Sequence, residues 1–346
     1  MKIQKMNLKT LLKKLIKNYK VTQMNILVIR FSSLGDLVTL EPAFRAVKYF
    51  YPNANITFVT SNIGKGLYED TGYFDEFVVH KEYKETLHLI KQRDYELVFN
   101  FHCNSLYHKL VFFLTKSKVV NSAANMWQKL IGIKVPVKPV PVTLESSGIS
   151  KVEIDDYFNK HNNNLVSLPV KDEPIIQTNK KLIAISTGSS EFWKSKQWGV
   201  KRYIRLIETI LKEHDVDILL VGTSLELEDS NTISKQFPSV INYVDRSNLT
   251  QLKNLLCYSD MFIGNDSGPA HIAASVGTNT ITIFGPTSTV HCVKYAPYKA
   301  EHVCLKPKNE ISCHPCYKGT CPTSLECMES ISVEEVYSKV KSFLRN

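Results

Sequence analysis

The stretch from Gly264 to Pro286, GNDSGPAHIAASVGTNTITIFGP, restricts the fold more than any other. It follows the apolar run Met261-Phe262-Ile263, which reads as the end of a buried strand. Asn265, Asp266, Ser267 and Gly268 break that run with turn-forming residues. Pro269 suits the first turn of a helix, where its absent N–H costs nothing. Ala270, Ala273, Ala274 and Val276 continue as a small-residue helical segment, and Gly277 can end it. Thr280 to Phe284 then alternates as a second strand, closed by Gly285-Pro286. The helix N-terminus leaves the carboxyl end of a sheet, and its unpaired N–H groups and dipole attract an anion such as phosphate. An ordinary, well-capped βαβ unit would carry the same pattern without a ligand.

The rest of the chain repeats this alternation. Asn25 to Phe31 reads as a buried strand, Ser32-Ser33-Leu34-Gly35-Asp36 as a tight loop, and Leu37 to Phe50 as a helix. Strands are predicted at Ile56–Thr60, Glu76–Val79 and Glu96–Phe101, with a helix at Tyr83–Lys91. The pattern weakens from Asn121 to Asn164, although Lys151–Asn162 is compatible with a helix. A second series starts with a strand at Lys181–Ser186. Helices follow at Val200–Glu213, Glu228–Phe237 and Leu249–Tyr258, with strands at Asp217–Val221 and Val240–Val244. Ser332–Phe343 closes the chain as a helix, with Ser332 and Glu335 spaced as a capping box. Alternating strands and helices imply two Rossmann-like, doubly wound α/β parallel sheets. The expected division is a segment 1–24, a domain 25–165, a proline-marked linker 166–180, a domain 181–330 and a closing helix 331–346.

Ligands bind such sheets at the carboxyl edge. There the second half offers three suitable loops: Thr187–Ser190 with Lys196, Gly222–Glu226, and Asn265–His271. The first turn lacks the GxGxxG dinucleotide fingerprint, which counts against a nicotinamide or flavin enzyme. Asp36 can serve either as a helix cap or as a carboxylate base facing a cleft. Lys196 lies between Trp193 and Trp198, where a surface lysine over aromatics and a phosphate contact are both open.

The formal charge of +10 is uneven. Residues 1–24 carry seven lysines and no acid, which leaves +3 for all the rest. The basicity therefore belongs to one segment and not to a nucleic-acid-binding face. Leu8, Leu11, Leu12, Leu15, Ile16 and Tyr19 fall at helical spacing there, so the segment reads as a basic amphipathic helix. It suits an anionic membrane surface, or equally the body of the protein with its lysines solvated. No apolar run is long enough to span a bilayer and no secretory signal is visible, so a cytoplasmic protein is expected.

Cys313, Cys316, Cys321 and Cys327 form a compact cluster. In a reducing compartment four such thiols suit a metal better than disulfides, and tetrahedral Zn²⁺ or a single iron fits. Buried free cysteines are the alternative, and His314 is a less favoured substitute ligand.

With these residues laid out, the chain resembles glycosyltransferase family 9, the ADP-heptose:lipopolysaccharide heptosyltransferases, over about residues 25–345. The similar motifs are ILVIRFSSLGD (26–36), STGSS with Lys196-Gln197-Trp198, and NDSGPAH (265–271) with Phe284-Gly285-Pro286-Thr287. The resemblance implies a GT-B architecture with the acceptor side N-terminal, the nucleotide-sugar side C-terminal, and inverting transfer without a catalytic metal. It implies Asp36 as general base, Lys196 on the donor phosphates and Glu226 on the nucleoside. Thr187, Ser189, Asp266, Ser267, Gly268 and His271 would complete the donor site. Ser33, Gly35, His102 and Asn104 are acceptor-side candidates. Related autotransporter heptosyltransferases hold iron in a cysteine finger, which adds weight to a structural metal at the cluster. The implied partners are an ADP-heptose donor and a lipid-linked lipopolysaccharide core acceptor, met at the cytoplasmic face of the inner membrane through the basic helix. A non-catalytic, membrane-associated scaffold or metal sensor with a degenerate nucleotide-sugar site is the competing expectation.

Overall fold

A computed structural model of the protein describes residues 23–31, 33–101, 118–121, 140–160, 165–289 and 300–345. The expected basic helix, apart from its last two residues, and the candidates His102 and Asn104 lie outside that range.

The first strand, β1 (Asn25–Ile29), is apolar and buried on both faces, as strands covered by helices must be. Helix α1 (Leu34–Thr39) begins inside the expected Ser32–Asp36 loop. Asp36 thus sits in the first turn of a helix, where a carboxylate is favoured by the dipole. The helix breaks at Leu40 before α2 (Glu41–Phe50), because Pro42 has no N–H to offer the Val38 carbonyl. Then come β2 (Asn55–Thr60) and α3 (Asn62–Tyr68), the latter capped by Ser61 Oγ, which accepts from Gly64 N at 3.3 Å. Strand β3 (Glu76–Val79), α4 (Tyr83–Lys91) and β4 (Leu97–Asn100) match the sequence reading within a residue or two. Strand β5 (Lys118–Asn121) and α5 (Val140–Ser147) were not foreseen, whereas α6 (Lys151–Asn159) was, and it carries a Ser150–Glu153 capping box. The five strands form one parallel sheet in the order β3-β2-β1-β4-β5.

The second series runs β6 (Lys181–Ser186), α7 (Val200–Glu213), β7 (Val216–Leu220), α8 (Leu227–Gln236), β8 (Ile241–Asn242) and α9 (Leu249–Cys257). It continues with β9 (Met261–Asn265), α10 (Gly268–Val276), β10 (Asn279–Ile283), β11 (His302–Leu305), α11 (Glu326–Glu329) and α12 (Val333–Leu344). Helix α7 shows why these elements pack: Tyr203, Leu206, Ile207 and Ile210 fall on one stripe and all are buried. Gly277 ends α10 at φ 99°, a left-handed conformation suited to glycine. The strands form a second parallel sheet in the order β11-β10-β9-β6-β7-β8.

Strand order reverses between β1 and β4 in the first sheet and between β6 and β9 in the second. Crevices open at the carboxyl ends of strands at such switch points, and these are the edges that carry the singled-out loops. The two sheets are tied together behind them. One apolar cluster includes Leu37 and Val38 of α1 together with Ala270 and Ala273 of α10. Asn254 of α9 straps the connecting chain, its Oδ1 accepting from Ile175 N at 3.0 Å and its Nδ2 donating to the carbonyls of Asp172 (3.1 Å) and Glu173 (2.8 Å). Beside it, fully buried Lys253 donates to Leu67 O at 3.1 Å and pairs with the Asp70 carboxylate, joining α9 to the end of α3. Among the described residues no helix is long and apolar enough to cross a membrane.

Candidate active site

The strand β9 ends in Asn265, and the fully buried amide of that residue organises the neighbouring loop. Its Nδ2 donates to the carbonyls of Thr187 (2.7 Å) and Gly188 (3.0 Å), while its Oδ1 accepts from Trp198 N (3.2 Å) and Tyr203 OH (3.1 Å). This fixes the loop after β6 beside the start of α10. The loop returns through a short 3₁₀ segment, Glu191–Lys196, kinked at Trp193. From its end Lys196 reaches back to Asp266, Nζ to Oδ2 at 2.7 Å, while lying 4.8 Å from the centre of the Trp193 ring. Thr287 Oγ1 donates to the same carboxylate oxygen at 2.7 Å, and His271 Nε2 stands 3.8 Å from the other. Lys196 thus lies over an aromatic ring and at the same time pairs with Asp266 at the start of α10.

Burial pushes the Asp266 carboxyl up, but the Lys196 charge, with hydrogen bonds from Lys196 and Thr287, outweighs it and holds the group below the usual range. His271 shifts the other way: burial lowers its pKa, and the opposing pull of Asp266 and Asp36 does not restore it against His302 and Lys196. The imidazole is thus neutral near pH 7 and can donate a hydrogen bond without adding charge. A depressed histidine favours its neutral form in the fold. The unfolded chain takes the proton first as pH falls through about 6.5, and stability drops from there downward. The melting temperature of His271→Gln should accordingly fall less than that of the parent between about pH 7 and about pH 5. Equal slopes in a thermal melt series would contradict this.

The start of α10 has the chemistry to seat an anion. Ser267 is its N-cap residue but makes no side-chain cap bond, and its Oγ is buried with no hydrogen-bond partner. Buried polar atoms are rarely left so in a native protein unless a ligand or water completes them.

Asp36 arrives from the other sheet. Its Oδ2 lies 3.1 Å from Arg30 NH2 and accepts from Ser33 Oγ at 3.2 Å, and about half of the side chain is open. Ser33, the N-cap residue of α1, makes no side-chain cap bond, and Asp36 sits in the first turn beyond it. Two glycines let the sheets meet here. A side chain on Gly35 would press on the His271 ring, with Cβ 3.0 Å from Cδ2, and one on Gly268 would run into Leu34. The first turn of α1 therefore abuts the first turn of α10, and Asp36 is near enough for its charge to be felt at His271.

Thr187 is buried near the Asp229 carboxyl, which burial pushes up and Thr187 holds down in part, and Ser189 Oγ donates to Trp193 O at 2.7 Å within its own loop. Glu226 is buried at the carboxyl end of β7, where its Oε2 accepts from Thr223 N and Thr223 Oγ1, both at 2.8 Å. Burial raises its pKa, and its carboxylate packs under Gly188 and Gly222. Arg30, Thr287 and Asn265 stand inside the motifs read from the sequence, but none was given a role of its own. Arg30 sat near the end of an apolar run, yet its NH1 donates to Phe101 O at 2.7 Å and links the Asp36 loop to the end of β4. A hollow of about 510 Å³, lined by Pro174, Ile176, Tyr258 and Asp260 among others, lies by the connecting chain at the start of β6, away from all of these groups.

Cys313, Cys316, Cys321 and Cys327 are all free thiols, Cys313 exposed and Cys327 buried. Among the described residues no three His, Cys, Asp or Glu side chains converge as a metal-ligand set. Cys316 and Cys321 lie near enough for their charge to be felt at Cys327, and the segment packs its backbone on the crevice loops.

The fold defines an α/β protein of the GT-B type, two parallel sheets whose carboxyl-edge helices α1 and α10 abut. The model of glycosyltransferase family 9 (heptosyltransferase) matches residues 138–326, and the chain belongs to that family. It is 26% identical over 325 residues to lipooligosaccharide heptosyltransferase 2 of Campylobacter jejuni, covering 90% of this chain and 96% of that one. The structure of Escherichia coli ADP-heptose LPS heptosyltransferase II superposes with a TM-score of 0.68 at 18% identity, over 93% of this chain and 98% of that one. A family 9 glycosyltransferase from Veillonella parvula gives the same TM-score and identity over 93% and 97%.

Proposed function

We propose that the protein is an inverting heptosyltransferase that moves a heptose from an ADP-sugar to a lipopolysaccharide core acceptor. The acceptor half would be residues 25–165 and the nucleotide-sugar half 181–330. The observation that carries this reading is the meeting of opposite functions at one point. Asp36 stands on one sheet, and the α10 N-terminus, with its unpartnered Ser267 hydroxyl and Lys196, stands on the other.

In this reading the acceptor hydroxyl gives its proton to Asp36 while its oxygen attacks the anomeric carbon from the side opposite the leaving group. The bond from that carbon to the diphosphate oxygen breaks with inversion. The departing nucleoside diphosphate gathers negative charge, which Lys196, the Ser267 hydroxyl and the α10 amides are oriented to receive. Lys196 would exchange Asp266 for the diphosphate as donor binds. Neutral His271 would hold a sugar hydroxyl, Thr187, Ser189 and Gly268 would frame the diphosphate, and Glu226 would contact the nucleoside. Ser33 and Gly35 would line the acceptor side. These groups supply the charge stabilisation without a catalytic metal. A cytoplasmic enzyme resting on the membrane surface through residues 1–24 would meet a lipid-linked acceptor.

Incubation with ADP-heptose and a panel of truncated core acceptors, read by mass, should give one acceptor extended by a single heptose. Absence of product from every acceptor, with no thermal stabilisation by ADP-heptose, would overturn the reading and favour a non-catalytic scaffold.

A further inference from the structure

The loop that carries Lys196 is a short 3₁₀ segment tied to a distant part of the chain. The segment Glu191–Lys196 is kinked at Trp193 (φ −128°, ψ 46°), and Phe192 is 82% exposed. At its ends Trp193 N donates to Ser190 O (2.8 Å) and Gln197 N to Lys194 O (3.1 Å), and Ser189 Oγ donates to Trp193 O. Ser195, by contrast, is almost fully buried, and both of its polar groups leave the loop. Its N–H donates to Gly319 O at 3.0 Å and its hydroxyl to Lys318 O at 2.5 Å, in the cysteine-bearing segment more than 120 residues on. Gly319 must be glycine here, since a Cβ would collide with the Phe192 carbonyl. The same segment is anchored to the crevice elsewhere. Tyr317 N donates to Pro286 O at 3.0 Å, and Gly285 lies directly on Met328 and Cys327.

We propose that Ser195 is a positioning residue, and that the Lys318-Gly319 backbone clamps it so that Lys196 meets the donor diphosphate. The cysteine-bearing segment is thus an outer wall of the donor site. The proposal rests on the donor-site reading of Lys196. A charged group on a four-carbon stem gains little as a diphosphate contact unless its base is fixed, and a displacement of about 1 Å at such a site is costly. The two clamp bonds fix that base from the far side, where no ligand can reach.

The test is ADP binding by calorimetry, with donor and acceptor KM, for Ser195→Ala, Gly319→Ala, Lys196→Ala and the double variants with Lys196→Ala. Ser195→Ala removes one bond, and Gly319→Ala wedges the loops apart from the opposite side, so the pair guards against one failing to fold. Each is expected to weaken ADP roughly tenfold and to raise donor KM by a similar factor, with acceptor KM unchanged. In the Lys196→Ala background neither should weaken ADP further, because their effect passes through that lysine. Unchanged ADP affinity in Ser195→Ala and Gly319→Ala, or an equal additional loss in the Lys196→Ala background, would overturn the clamp. If Lys196→Ala itself left ADP binding unchanged, the donor reading would fail first and the clamp with it.

Discussion

Asp36→Asn is expected to slow heptose transfer by roughly 10²–10⁴-fold and to leave ADP affinity within about twofold, because only the proton acceptor is removed. The amide has the shape of the carboxylate and keeps an oxygen for Ser33 Oγ, now at 3.2 Å. The neighbouring frame does not depend on the charge. Arg30 NH1 stays on Phe101 O at 2.7 Å and its backbone N–H stays on Val59 O at 3.0 Å, so the β1 end and the β4 end remain joined. The crevice proposed for the donor, with Lys196, Asp266, Thr287 and Ser267 on the other sheet, is untouched. Transfer followed by mass and ADP binding followed by calorimetry should therefore separate cleanly. Turnover retained in Asp36→Asn would remove the base from the mechanism, and a parallel loss of ADP affinity would mean that Asp36 serves the donor instead.

The parts of this molecule that were legible in the sequence are those fixed by local composition. Parallel strands covered on both faces must be apolar runs, so Ile26–Ile29, Leu182–Ile185 and Met261–Ile263 announced themselves. Helix α3 did not, because two glycines in NIGKGLY lower its propensity. It forms through tertiary packing: Leu67 and Tyr68 are buried, Tyr68 OH donates to Leu37 O at 2.7 Å, and Gly64 leaves room for Thr60. Strand β5 is four residues long and was too brief to stand out. At the site, the strand-end loops could be read, but the pairs that give them meaning could not. Lys196 and Asp266 are seventy residues apart, Ser195 meets Lys318 and Gly319 across a longer gap, and nothing in the run ILVIR marks Arg30 as the partner of Asp36.

The largest stability effect is expected at the joint between the sheets. Asp70→Ala should destabilise the protein by about 3–5 kcal/mol near neutral pH, since it strands a charged amine in the interior. Lys253 has no exposed surface, and besides Asp70 its ammonium donates to Leu67 O. Burial lowers its pKa, and the hydrogen bond and charge of Asp70 are what oppose that. Lys253→Met should cost far less, about 1 kcal/mol, because Asp70 is partly exposed and can turn to water while the methionine fills the space. The pH dependence distinguishes a stranded charge from lost packing. Without Asp70 the folded-state pKa of Lys253 falls further below its unfolded value near 10.5, so the neutral amine is the form the fold prefers. The penalty is then greatest at low pH and shrinks as pH rises toward the unfolded pKa. Urea unfolding of Asp70→Ala at about pH 7 and about pH 9.5 should show the deficit narrowing, while Lys253→Met stays level. A deficit independent of pH, or equal losses in the two variants, would mean that the pair contributes only packing between α9 and α3. The pair joins the half that carries Lys196 to the half that carries Asp36, so its loss should also loosen the register at which base and leaving group face each other.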